Sequence, residues 1–142
     1  MSDSKKKVVE IGSTPNLPRQ KFWLEELKLS DVEIIHQICG EKLNFDKDTD
    51  AVIFEQWASP SDLKYFRGVS SEILDVGSFE CAFRENGQLV VRILITEAIH
   101  RLIVKKNPNL SNLNVAYVTG EDAVSAATVI LLVKMGFRKI YW

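Results

Sequence analysis

Gly120, Glu121, Asp122 and Ala123 stand where this sequence could meet a dinucleotide. An apolar run from Leu113 to Val118 reads as a strand before them. A strongly apolar stretch from about Ala123 to Met135 reads as a helix after them, stopped by Gly136. The closing "RKIYW" reads as a last strand, so the two strands must run parallel. In such a unit, glycines in the turn let a diphosphate touch backbone N–H groups at the helix start, an approach that a Cβ blocks. Gly120 supplies a first glycine. Glu121 and Asp122 then set two carboxylates where phosphates would come, and like charge opposes them. The same acids suit another task, since carboxylates in a first helical turn cap its free N–H groups and complement the helix dipole. The turn is therefore expected to fill its own anion site, an atypical nucleotide site being the alternative, and a lone Gly120 is weak evidence for binding.

Other reactive side chains form no constellation. His36 and His100 each lie beside an apolar helical stripe and read as partly buried, satisfied histidines. Cys39 and Cys81 have neither disulfide nor metal spacing and read as reduced, buried thiols. Trp23, Trp57 and Trp142 read as core or interface residues. No Ser-His-Asp or zinc spacing occurs, so neither a catalytic nor a metal site is expected. With 142 residues, 46% apolar and 26% charged, and a net charge of -1, the chain has an ordinary globular composition. That balance argues against a nucleic-acid or membrane-surface partner. The start is too weakly apolar for a signal peptide, and the cytoplasm is the expected location.

The elements that would position the turn are a mixed set. "VVEIG" reads as a short strand and "STPNLPRQ" as a loop. "KFWLEELKL" leans to strand through Phe22 and Leu24. Ser30-Asp31-Val32-Glu33 has the form of a capping box, with Ile34, Ile35, Ile38 and Leu43 following at helical spacing. "NFDKDTD" is a polar loop and "AVIFEQW" a strand. Ser61 reads as the cap of a short helix. Asn86-Gly87 marks a tight hairpin between two β-rich runs. "TEAIHRLIVKK" reads as a helix ended by Asn107-Pro108-Asn109. The expected fold class is α/β, a mixed sheet with a C-terminal parallel Rossmann-like βαβ unit. Residues 1–20 are expected to be a flexible segment and 21–142 a single α/β domain.

From Ala51 onward, the order of "AVIFEQWAS", "GSFECAFRENGQLV", "VRILITEAIHRL" and "VAYVTGEDAVSAA" with "KMGFRKIYW" resembles the shikimate dehydrogenase family. The resemblance implies that 21–110 corresponds to part of a substrate domain and 111–142 to a truncated dinucleotide-type unit. It implies hydride transfer between NADP and a cyclic hydroxy acid. The family's catalytic lysine falls on Ser59, its hairpin asparagine on Glu80, and the asparagine and aspartate of its next motif on Ile93 and Ile95. The family's Ser-x-Ser motif is absent from "STPNLPRQ". After Gly120, the family's Ala-Gly-Gly becomes Glu121, Asp122 and Ala123. Ser59 and Ile95 cannot exchange a proton with a substrate hydroxyl near neutral pH. A shift in register would bring forward Lys64 and Glu97 instead.

The expectation is a pseudoenzyme without a cofactor that binds a protein or a small ligand. The alternative is a divergent or fragmentary NADP-dependent shikimate or quinate dehydrogenase. A βαβ unit alone leaves strand edges free and the "AATVILLV" helix poorly covered. Three arrangements answer this: a fragment of a longer protein, packing into one compact sheet, or cover by a second chain. A degenerate single domain is favoured, with a homodimer or a protein partner bound through the apolar C-terminal helix.

Overall fold

A computed structural model describes residues 5–26, 28, 31–106 and 114–142. Strand β1 (Lys6–Gly12) lies at the interior of a five-stranded sheet. It pairs in parallel with β2 (Val32–Ile38) on one side and β3 (Thr49–Ala58) on the other. The antiparallel strands β4 (Phe79–Glu85) and β5 (Gln88–Arg92) complete the order β2-β1-β3-β4-β5. Asn86 and Gly87 turn the β4–β5 hairpin with φ of 49° and 81°, the left-handed conformation that a two-residue turn needs.

One face of this sheet makes the core. Val9, Ile11, Val52 and Val91 meet Leu43, Phe66, Ile73 and Phe79. The rings of Phe54, Phe66 and Phe79 pack edge-to-face at centroid distances of 5.3 to 6.1 Å. Ile73 belongs to α2 (Ser71–Val76), whose N-terminus is capped by the Ser70 hydroxyl and whose C-terminus stops at Gly77. Next to Glu10, helix α1 (Leu17–Lys21) brings in Arg19 and Gln20.

The chain then leaves the sheet through α3 (Ile95–Lys106). Strands β6 (Val115–Tyr117) and β7 (Lys139–Tyr141) pair in parallel around α4 (Ala123–Lys134), as the strand–turn–helix–strand pattern predicted. They form a second sheet rather than joining the first, so a single compact sheet is not what this unit builds. Helix α4 packs on α3 and α2, and Lys134 pairs with Glu72 at 3.2 Å.

Several expectations are corrected. The segment 1–20 contributes β1, an interior strand, because Val9 and Ile11 are apolar enough to sit at the centre of the core. Residues 17–26 form α1 and a following π-helical turn, where loop and strand were expected. Asn16 Oδ1 accepts the Arg19 N–H at 3.1 Å and Pro18 pre-sets the first turn. The stripe of Ile34, Ile35 and Ile38 belongs to β2, not a helix, since every residue of 32–38 finds a partner on β1 and β-branched side chains suit the pleat. Ser30, Asn107, Pro108, Asn109 and Leu113 lie outside the described residues. The short helix after β3 is 3-10 (Pro60–Tyr65) and begins at Ser59, not Ser61. Cys39 is exposed while Cys81 is buried.

Candidate functional site

The turn between β6 and α4 is closed upon itself. Asp122 is the N-cap of α4, and its Oδ1 accepts the Ser125 N–H and the Ser125 hydroxyl, both at 2.8 Å. Those bonds, with help from the N–H groups of Asp122 and Val124, hold its carboxyl below the usual range. Asp122 is therefore ionised near neutral pH and takes up the Ser125 N–H, a donor that a phosphate would need. Gly120 has φ +122°, and a Cβ there would collide with Ser125 Oγ. So the glycine makes room for this chain's own serine. The Trp142 indole N–H donates to the Gly120 carbonyl at 2.7 Å, tying the last residue of the sequence to the same turn. Glu121 and Ala123 complete the turn, Glu121 exposed and Ala123 half-buried.

Two other positions singled out in the sequence, Ser59 and Glu80, also act as caps. Ser59 donates its N–H and its hydroxyl to Asp62 Oδ2, at 3.0 and 2.9 Å, at the start of the 3-10 helix. Glu80 Oε1 accepts the N–H groups of Leu94 and Ile95, at 2.5 and 2.8 Å, and so caps α3. Ile93 packs against the core. Lys64 and Glu97 line separate cavities. Lys64 shares one of about 300 Å³ with Lys42, Asp62 and Tyr65. Glu97 shares one of about 420 Å³ with His100 and Lys134. No acid–base pair is assembled from these two residues.

Sequence reasoning missed the most enclosed polar group. Glu10 is fully buried on β1. Arg19 pairs with its Oε1, the Gln20 amide reaches Oε2 at 2.5 Å, and the Asn16 N–H reaches Oε2 at 3.2 Å. Burial by itself raises the Glu10 carboxyl, but those hydrogen bonds together outweigh it and leave its pKa below the ordinary value. His36, its register partner on β2, holds Nδ1 3.8 Å from Glu10 Oε2. Both ring nitrogens of His36 are buried without a hydrogen bond among the described residues. A carboxylate between Val9 and Ile11 was the available signal. Cys81 is buried on β4, and burial, then the Glu80 charge, pushes its thiol up to about 12, which leaves it unreactive. Among the described residues, no group of three His, Cys, Asp or Glu could hold a metal. No described helix is long and apolar enough to cross a membrane.

No protein-family profile matches the chain, and no curated protein does. Solved structures do. A shikimate 5-dehydrogenase from Mycobacterium fortuitum matches with TM-score 0.71 at 16% identity, over 99% of this chain and 54% of its own. Quinate dehydrogenase from Corynebacterium glutamicum, solved with NAD, matches with TM-score 0.70 at 16% identity, over 96% of this chain and 54% of that one. Shikimate dehydrogenase from Aquifex aeolicus matches with TM-score 0.67 at 12% identity, over 100% and 57%. The chain thus has the α/β fold of these structures and spans about half their length.

Proposed function

We propose that this chain, built on the fold of shikimate and quinate dehydrogenases, is a non-catalytic protein that acts as a protein-interaction or ligand-binding module. One observation carries the reading: Asp122 takes the Ser125 N–H and hydroxyl at the start of α4, and Ser125 occupies the approach to Gly120. A diphosphate arriving there would meet a fixed negative charge in place of free donors. Ser59, Glu80 and Ile95 support the same reading, because none of them supplies a proton-transfer pair and two are spent on capping. In this reading the five-stranded sheet and its helices, β1 included, serve as a remnant substrate domain and 111–142 as a truncated dinucleotide unit, in a cytoplasmic protein.

The interaction role draws support from exposed apolar surface. Val133 on α4 is solvent-facing, and Tyr117, Tyr141 and Trp142 are exposed, the two tyrosine rings stacked at 4.8 Å. A homodimer or a protein partner would cover them. The rival reading, an NADP-dependent shikimate or quinate dehydrogenase of divergent type, is favoured by the match to an NAD-bound structure. Thermal melts with NADP and NAD separate the two. A ligand at 100 times its Kd adds about 2.7 kcal/mol of stability, so micromolar binding would be plain in the melt. No shift is expected with either coenzyme, and no reduction of NADP by shikimate or quinate. A clear shift, or turnover, would overturn the proposal.

A further inference from the structure

An apolar cavity of about 510 Å³ opens between α3, β6 and α4, directly beside the closed turn. Its walls are Ile103 of α3, Ala116 and Val118 of β6 and the strand end, and Val124 and Leu132 of α4. The size lies within the range of about 300–1,000 Å³ typical of small-molecule sites, which pair apolar walls with a few placed polar groups. No acidic or basic side chain lines it.

The polar groups are four hydroxyls, and their protons decide what they can bind. Tyr117 is 76% exposed, so its hydroxyl has water as a partner, which leaves Thr128, Ser125 and Thr119. Thr128 Oγ1 donates to the Val124 carbonyl at 2.7 Å. Ser125 Oγ donates to Asp122 Oδ1. Each has spent its one proton and offers only lone pairs to the cavity. The Thr119 hydroxyl has no hydrogen bond among the described residues, so it can donate as well as accept. An anion would find acceptors, the adjacent Asp122 charge and no cation. A neutral molecule with an O–H would find its acceptor at Thr128, since Ser125 is already held against the Asp122 carboxylate, and a donor at Thr119.

We infer that this cavity binds a neutral, largely apolar small molecule carrying a hydroxyl group, a phenol or an alcohol. The inference rests on the reading above, in which the neighbouring turn does not take a diphosphate, and it names the ligand chemistry that such a module would accept.

The test uses three probes of matched shape on the full chain: 1-naphthol, 1-methoxynaphthalene and 1-naphthoate. Amide NMR titration at pH 7 should show saturable binding of 1-naphthol with shifts centred on 116–128. Removing the donor should weaken binding about fivefold, the worth of one hydrogen bond of about 1 kcal/mol. 1-Naphthoate should not saturate. Thr128→Val, which keeps the shape and removes the acceptor, should weaken 1-naphthol about fivefold and leave 1-methoxynaphthalene unchanged. Val124→Phe should fill the space and abolish binding of both. Equal binding of 1-naphthoate, no effect of Thr128→Val on 1-naphthol, or saturation by none of the probes would each overturn the inference. A dimer that Val124→Phe dissociates, with no probe bound, would assign the cavity to a protein contact instead. NADP is titrated separately. Coenzyme binding with intact discrimination among the naphthalenes would sink the functional reading alone.

Discussion

In the five-stranded sheet, Val52, Phe79, Ala82 and Val91 are wholly buried, and β1, β3 and β4 each have a neighbour on both sides. In the two-stranded sheet, Tyr117 is 76% and Tyr141 51% exposed, and among the described residues β6 and β7 have only each other. Both regions are made of similarly apolar strands and helices, so composition does not separate them. Cover does. Parallel strands need both faces packed, and here α4 shields one side while the tyrosines stack in the open on the other. Charge follows the same division. The first region affords a buried carboxylate, Glu10, because α1 lays Arg19 and Gln20 over it. The second keeps its acids, Glu121 and Asp122, at the surface as turn and cap.

The contrast can be broken most severely at Phe79. Phe79→Ala removes a ring packed between Phe54 and Phe66 and should cost about 3–5 kcal/mol in urea denaturation. A loss below about 1 kcal/mol would mean that this half is no tighter than the other. Glu10→Ala comes next, at about 3 kcal/mol, since it leaves Arg19 and Gln20 facing an empty carboxylate site. Its ionisation gives a pH test with a fixed sign. The folded pKa of Glu10 lies below its ordinary value of 4.5, so the stabilisation is complete above about pH 4.5 and is lost as pH falls through the folded value. Glu10→Gln should flatten that acid limb.

Hydrogen exchange sharpens the comparison without any substitution. Amides of β6 and β7 should exchange through an opening of lower free energy than the global unfolding that governs β1, β3 and β4. Equal protection in the two sheets would show that they unfold as one. Asp122→Ala should lower protection of the first turn of α4 and leave the urea midpoint of the large sheet unmoved. Smallest of all, Tyr117→Arg should leave the melt unchanged and reduce any self-association seen by sedimentation. A marked loss of stability from that change would mean that the outer face of β6–β7 is covered within this chain.

Elements with a local signature were legible. Asn86-Gly87 forces a hairpin whatever surrounds it, and the apolar run with Gly136 after it makes α4 readable in isolation. The β2 strand was not. Ile34, Ile35 and Ile38 fit a helical stripe, and only the presence of β1 alongside turns them into a pleat. Helix α1 was hidden for a similar reason, since its purpose is to place Arg19 and Gln20 on a carboxylate that was never singled out. At the candidate site, the capping role of Asp122 could be read from helix chemistry. The role of Ser59 is just as local, a capping box with Asp62 three residues on, although the sequence reads as a cap at Ser61. That of Glu80 could not be read, because it reaches the N–H groups of residues 14 and 15 positions further on.

By itself the sequence determined the α/β class, the parallel terminal unit, and two acids in the turn after Gly120, because each depends on residues close together in the chain. Tertiary structure alone decided that β1 is interior, that Glu10 is buried with partners, and that β6–β7 stands apart with a cavity at its side. Those outcomes depend on which surfaces meet, and the free energy of covering apolar area is settled only between distant segments.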